Sequence, residues 1–220
     1  MIKLVDRERS RKDSPKARLA ALPADRQAKL LDPAEDEFVA HGFEGASLNR
    51  ILSAAGMSKG QAYYYVADKA DLYRAVIERS LQRLAEAIDA SFPEPTTADE
   101  FWQQIATIFE RLTVALQKDD DLAVLARGIY ESPGAQAALT EPLAGIRAQS
   151  DRLIAIGQSV GAIRTDVPQT LLADVLFAAA REIDRWFAAH WPDLDKEEAL
   201  RINDKAVGMI AAMAAPMRPR

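Results

Sequence analysis

Residues 47–65 read SLNRILSAAGMSKGQAYYY, and their order predicts a helix, a tight turn and a second, short helix. Ser47 is placed to cap the first helix, and Leu48, Ile51 and Leu52 give that helix one apolar face. Gly56 can take the left-handed conformation that ends it. Ser58 then caps the second helix, and Met57 between them is free to pack underneath. A helix-turn-helix of this spacing is a DNA-reading unit, with the N-terminal end of its second helix offered to base edges.

Outward from this stretch the chain reads as all-α. Alanine occurs 41 times and leucine 22 times, against 31 valine, isoleucine and threonine residues together, and no strand-length alternation is present. From Asp68, the residues Leu72, Val76, Ile77, Leu81, Leu84 and Ile88 recur on one helical face for about six turns. Pro93 and Pro95 end that run. Thr97 with Glu100 forms a capping box for the next helix, so a domain boundary is expected at 91–98. The layout is a basic arm (1–22), a helix-turn-helix domain with its connecting helix (23–90) and a second helical domain (91–220). Asp119, Asp120 and Asp121 are read as helix caps rather than metal ligands, because successive helical side chains point apart. The last two helices, about 169–190 and 195–215, are rich in small residues and suit a helix-on-helix interface.

Composition narrows the function. The chain of 220 residues has no cysteine, which excludes disulfides, a thiol nucleophile and an iron–sulfur cluster. With two histidines and no ligand spacing, no metal or other cofactor is expected. No apolar run approaches the roughly 18 residues of a membrane span, and Asp6, Arg7 and Glu8 follow Met1 where a signal segment would be apolar. The expectation is a cytoplasmic protein without a membrane partner. The net charge of −5 conceals an asymmetry: residues 1–74 carry 13 Lys/Arg against 11 Asp/Glu, and the remainder 15 against 22. Lys3, Arg7, Arg9, Arg11, Lys12, Lys16 and Arg18 crowd the first 22 residues, as a basic arm or as a solvated tail.

The stretch from Leu30 to Leu72 resembles the N-terminal domain of the TetR family of transcriptional repressors. Leu30, Leu31, Ala34, Phe38 and Gly42 carry the likeness in its first helix, then Ser47 and Ile51, the run Ala54 to Gly60, Tyr63, Lys69 and Leu72. The resemblance implies DNA contacts from Ser47, Ser58, Lys59, Gly60, Gln61, Tyr63, Tyr65 and Lys69, with Lys69 on a phosphate. Gln61 has two readings: it can pair with a base, or complete a capping box with Ser58. Gly60 suits either a close approach to DNA or a packing contact. Tyr63, Tyr64 and Tyr65 sweep about 200° of helix, so they cannot all face inward; Tyr64 and Val66 are expected to be partly buried. Val66, Gln61, Glu37 and Pro33 depart from the family pattern. Pro33 is expected to kink the first helix or restart it with Asp32 as N-cap.

The resemblance further implies a homodimer on double-stranded DNA, through 169–190 and 195–215, bound to a palindromic operator and released by a small molecule. Trp102, Phe109, Arg127, Tyr130, Phe177 and Arg181 are the candidate pocket residues for that effector, with core packing as the competing reading for each. Two other classes compete. One is a helical adaptor that binds a protein through its tyrosines and basic arm. The other is a hydrolase, because Gly157-Gln158-Ser159-Val160-Gly161 satisfies G-x-S-x-G, with Asp166 or Asp184 and then His190 following. That motif requires a strand-to-helix elbow, whereas Leu153, Ile154 and Ile156 set it in a helix. The chain is therefore expected to have no catalytic residues.

Overall fold

The computed structural model describes residues 14–89 and 91–217. They form eleven α-helices and one 3-10 turn, with no strand among the described residues, in agreement with the all-α reading. The chain divides into two compact units: residues up to Leu81 together with Gly128–Thr140, and Gln82–Arg127 together with Glu141–Arg220. The first parting falls inside a helix, ahead of the proline-rich linker that the sequence marks. Most of the basic arm lies outside the described residues.

In the first unit, the head, α1 (Pro15–Ala20) begins at Ser14, whose hydroxyl oxygen accepts the Ala17 amide at 3.2 Å. Pro15 sits in the first turn, where its missing N–H leaves no bond unmade. Four helices then make the core: α2 (Ala24–Gly45), α3 (Leu48–Ala54), α4 (Lys59–Tyr63) and α5 (Lys69–Ala87). Each turns its apolar positions inward. Leu30, Leu31, Ala34 and Phe38 meet Ile51, Leu52, Ala62, Leu72, Tyr73, Val76 and Ile77, none more than 3% exposed.

The kink expected at Pro33 is absent. Helix α2 runs through it, and its geometry breaks only at Gly42, where φ is 63°. Asp32, expected as an N-cap, instead accepts Arg79 Nη1 at 2.6 Å, while Arg79 Nη2 reaches Glu35 at 2.5 Å. One arginine of α5 thus splints the turns on either side of the proline.

Gly42 supplies the left-handed residue that returns Phe43 to the core. The Phe43 ring lies 5.0 Å from Tyr73 in an edge contact and 6.5 Å from Phe38. Residues 128–140 complete the head: the end of α7 (Asp120–Glu131), then Ser132 and α8 (Pro133–Ala138). Ser132 caps α8 through the Ala135 amide at 3.0 Å, and Ala135 and Leu139 are buried. Gly134 approaches Phe43 so closely that a Cβ there would stand 2.7 Å from the ring. Beside this contact the Tyr73 hydroxyl is buried without a hydrogen-bond partner among the described residues. Burial, and then the Glu131 carboxylate, push its pKa up to about 12, so it stays protonated at physiological pH.

The second unit contains α6 (Ala98–Leu116), most of α7 and α9 (Thr140–Ser159), α10 (Gln169–His190), and α11 (Lys196–Ala214). The capping box at α6 is shifted by one residue. Thr97 Oγ accepts the Glu100 amide at 3.2 Å, but the Glu100 carboxylate takes the amide and hydroxyl of Thr96, at 2.7 and 2.8 Å. Asp119 does cap α7, through the Leu122 amide at 2.9 Å. The core gathers Phe101, Ile154, Ala162, Ile163, Leu172, Ala173, Leu176 and Ala214. Leu171, Val175 and Trp186 on α10, and Met209 and Met213 on α11, remain exposed.

Candidate nucleic-acid interface

Helix α3 is fixed at its start by a charge. Glu37 of α2 accepts the Ser47 amide at 2.8 Å and the Arg50 Nε at 2.8 Å, and Arg50 Nη2 also donates to the Gly45 carbonyl at 2.9 Å. Ser47 Oγ faces the Arg50 amide at 3.5 Å. The acid that departs from the family pattern at position 37 is therefore a bracket between α2 and α3. Arg50, and then Ser47, hold the Glu37 carboxyl below the usual carboxylate range. A carboxylate lowered in the folded state stabilises above its ordinary pKa and loses that contribution as pH falls through the lowered value. Glu37→Gln is expected to cost about 1 kcal/mol at neutral pH. The gap to the unsubstituted chain should close as pH falls from about 5 toward 3, followed by the thermal midpoint of the tyrosine circular dichroism. A gap that stays constant with pH contradicts the bracket.

The turn follows helix-ending chemistry. The Met57 amide reaches back to the Leu52 carbonyl at 3.0 Å, and Gly56 has φ 63°, the glycine-closed ending expected from the sequence. Helix α4 is five residues long, and its capping box is complete: Ser58 Oγ accepts the Gln61 amide at 3.3 Å, and Gln61 Oε1 accepts the Ser58 amide at 2.9 Å. Ala62 and Val66 are buried. Lys59, Gly60 and Gln61 are exposed, and a Cβ added at Gly60 would meet no atom within 4 Å, so the packing alternative for this glycine has nothing to pack against.

The tyrosines divide differently from expectation. Tyr63 and Tyr64 are exposed, at 48% and 54%, and Tyr65 is half-buried with its ring edge-on to Tyr64 at 5.0 Å. The partial burial expected of Tyr64 is not found, and its contact is with α1. Arg18 Nη1 donates to the Tyr64 carbonyl at 2.9 Å, and the guanidinium lies 4.4 Å from the ring centroid. Val66 is buried more completely than expected.

Lys69 is engaged within the head. Its ammonium donates to the carbonyls of Phe43, Glu44 and Ala46 at 2.6, 3.2 and 3.3 Å, and sits 4.7 Å from the Phe43 ring centroid. An ammonium has three donors, and here all three close the end of α2. We propose that Lys69 serves as this clamp in place of the phosphate contact that the resemblance implies.

Two cations missed from the sequence flank the reading helix. Arg26 and Lys29, in the first two turns of α2, line a cleft of about 780 Å³ whose opposite wall includes Ser58, Gly60, Gln61 and Tyr64. Their spacing of three on one helix was the available signal.

The sequence offers six pocket candidates. Tyr130 belongs to the head and the other five to the second unit. Trp102 packs against the core beside Phe101, Phe177 lies under the Arg147 guanidinium, and Phe109 is exposed. None of the six lines the groove of about 740 Å³ formed by the end of α5, α6 and the start of α7. Its apolar lining is Leu84, Ile88, Val114 and Leu122, with Arg83, Arg111 and Lys118 among its charges. Ser159 is the last residue of α9 and donates to the Ile156 carbonyl at 2.8 Å. The G-x-S-x-G match is thus a helix end, without the elbow that a nucleophile needs.

Comparison with known proteins bears on the same stretch. The family model for bacterial regulatory proteins of the tetR family matches residues 30–76, from Leu30 in α2 to Val76 in α5. Over these residues the chain is similar to the TetR family. The transcriptional repressor AcnR of Corynebacterium glutamicum is 27% identical over 159 residues, covering 68% of this chain and 75% of AcnR. The transcriptional activator FasR of Mycolicibacterium smegmatis is 35% identical over 68 residues, 30% of this chain and 31% of FasR; the chain spans about a third of the length of several such relatives. Among solved structures, FadR of Bacillus subtilis in complex with stearoyl-CoA superposes with a TM-score of 0.66 at 16% identity, covering 84% of this chain and 97% of FadR. A TetR-family regulator from Syntrophomonas wolfei gives 0.68 at 17% identity, covering 86% and 95%. In this chain α1, Arg18, Arg26 and Lys29 all precede the matched residues.

Proposed function

We propose that the chain is a transcriptional repressor that binds a two-fold symmetric operator as a homodimer and is released by a small molecule. The observation that carries this reading is α4, which buries only Ala62 of its five residues and leaves the rest to solvent. Lys59 and Gln61 face base edges, the bare backbone at Gly60 admits close approach, and Tyr63 and Tyr65 complete the contact surface with Ser47 and Ser58. Arg26 and Lys29, across the cleft, contact phosphates.

A single five-residue helix touches too few bases for selectivity, so two copies act together. Leu171, Val175 and Trp186 on one stripe of α10, with Met209 and Met213 on α11, form the self-complementary face of a symmetric dimer. The effector is an amphipathic small molecule held in the groove at α6, its apolar part against Leu84, Ile88 and Val114. A FadR neighbour holding stearoyl-CoA supports this class.

Selection of bound sequences from a random duplex pool by the full chain tests the reading. The expected product is an inverted repeat whose affinity falls steeply with salt. Absence of salt-sensitive DNA binding defeats the reading, and enrichment of unpaired half-sites defeats the dimer.

A further inference from the structure

We propose that Gln61 reads its base as a hydrogen-bond donor only, selecting guanine ahead of thymine and rejecting adenine and cytosine. This rests on the DNA-binding reading above and assigns its chemical preference. Glutamine ordinarily suits adenine, whose N7 accepts from the amide nitrogen while its N6 donates to the amide oxygen. That pairing needs both ends of the carboxamide presented together in one plane.

Here one end is already engaged. Gln61 Oε1 accepts the Ser58 amide at 2.9 Å, and the Gln61 amide donates to Ser58 Oγ at 3.3 Å, so the side chain is folded back over the first turn of α4. The oxygen faces the cap. Nε2, with two N–H donors, has no acceptor among the described residues. Gln61 is exposed, so a base edge can reach this nitrogen.

The donor-only geometry ranks the bases. Guanine offers O6 and N7 side by side in the major groove, two acceptors for the two N–H groups, and thymine offers O4 alone. Adenine's N7 adjoins an N6 donor that would need the engaged oxygen, and cytosine presents only a donor. The capping box thus has two consequences: it holds the short helix and turns the acceptor half of the reading side chain toward the Ser58 amide, leaving the donor half to the base.

Glu at position 61 separates the two, because a carboxylate completes the same box but has no N–H to offer. Random-pool selection is run on full chains carrying Gln61, Gln61→Ala and Gln61→Glu, and the position whose preference changes with residue 61 is located. The unsubstituted chain should place guanine there, with roughly five- to tenfold discrimination over adenine. Gln61→Ala should flatten that position. Gln61→Glu should lose guanine, gain cytosine and keep the thermal midpoint of the unsubstituted chain. Adenine at that position, or no position that depends on residue 61, overturns the proposal while salt-sensitive binding by all three chains leaves the regulator reading standing. Failure of every chain to bind DNA takes away both.

Discussion

Lys69→Met is expected to lower the stability of the head by about 2–3 kcal/mol, although the residue is half-exposed and the family places a phosphate contact there. Hydrogen bonds to a charged group are individually worth about 1.5–3 kcal/mol, and three converge on this ammonium. The partial desolvation of the lysine offsets part of the sum. The three carbonyls belong to residues 43–46, just ahead of the Ser47 cap, so losing the clamp frees the end of α2 and with it the seat of α3. Methionine keeps the length of the stem and removes only the charge and its donors.

The measurement has a spectroscopic convenience. All five tyrosines lie in the head and all three tryptophans in the second unit, so tyrosine circular dichroism follows the unit that is perturbed. DNA binding should weaken for every sequence alike, in step with the loss of folded head. The slope of affinity against salt should not change, whereas removing a phosphate contact lowers it by about one. Lys69→Arg should rescue poorly, because a planar fork does not match three carbonyls converging on one point. A normal midpoint with a slope reduced by one would restore the phosphate contact and remove the clamp.

What was legible in the sequence follows the range over which each interaction acts. Ser47, Gly56, Ser58 and the capping role of Gln61 depend on residues three to five apart, and the helix-turn-helix came out as read. The core of the head did too, since Leu30, Phe38, Ile51, Leu72 and Val76 repeat at helical spacing. Glu37 with Arg50, Arg79 with Asp32 and Glu35, and Lys69 with Phe43 join positions 13 to 47 residues apart. No local period encodes such pairs. Hence Pro33 reads as a kink or restart when a distant arginine splints it, and Lys69 reads as a phosphate contact with no sign of the three carbonyls at the end of α2 that it meets.

The second unit was harder for a related reason. Its helices were legible from caps and breakers, but nearly every apolar residue on them fits either a core or a pocket, and pattern alone does not choose. Trp102 packs against the core and Phe177 lies under the Arg147 guanidinium, the core reading that pattern leaves open beside the pocket. Residues 128–140 carry strong signals in Ser132, Pro133 and Gly134, yet these mark a turn and say nothing of the partner. That partner is Phe43, about ninety positions earlier, and only the close approach at Gly134 reveals it.

Phe101→Ala is expected to have the largest effect in the second unit, about 3–5 kcal/mol, the usual cost of removing a fully buried phenyl ring. The upper part of that range applies because the hole has stiff walls. Phe101 is 2% exposed and meets Phe92 and Trp102 edge-on at 5.8 and 5.1 Å. The tip of its ring reaches the backbone of Gly157, where a Cβ would stand 2.9 Å from Cζ. Backbone cannot repack as a side chain does. Ile163, the other near neighbour of Gly157, is held in place because its amide and that of Ala162 both donate to the Gly157 carbonyl, at 3.1 and 2.8 Å. Neither wall can close the space, so the cavity term should appear nearly in full. Phe101→Leu, which keeps most of the volume, should cost about 1–1.5 kcal/mol. Tryptophan emission during denaturant unfolding reads both variants, since Trp102 borders the hole. A loss under about 1 kcal/mol for Phe101→Ala would mean that the walls had moved, and that Gly157 and the turn after it are not the fixed frame of this core.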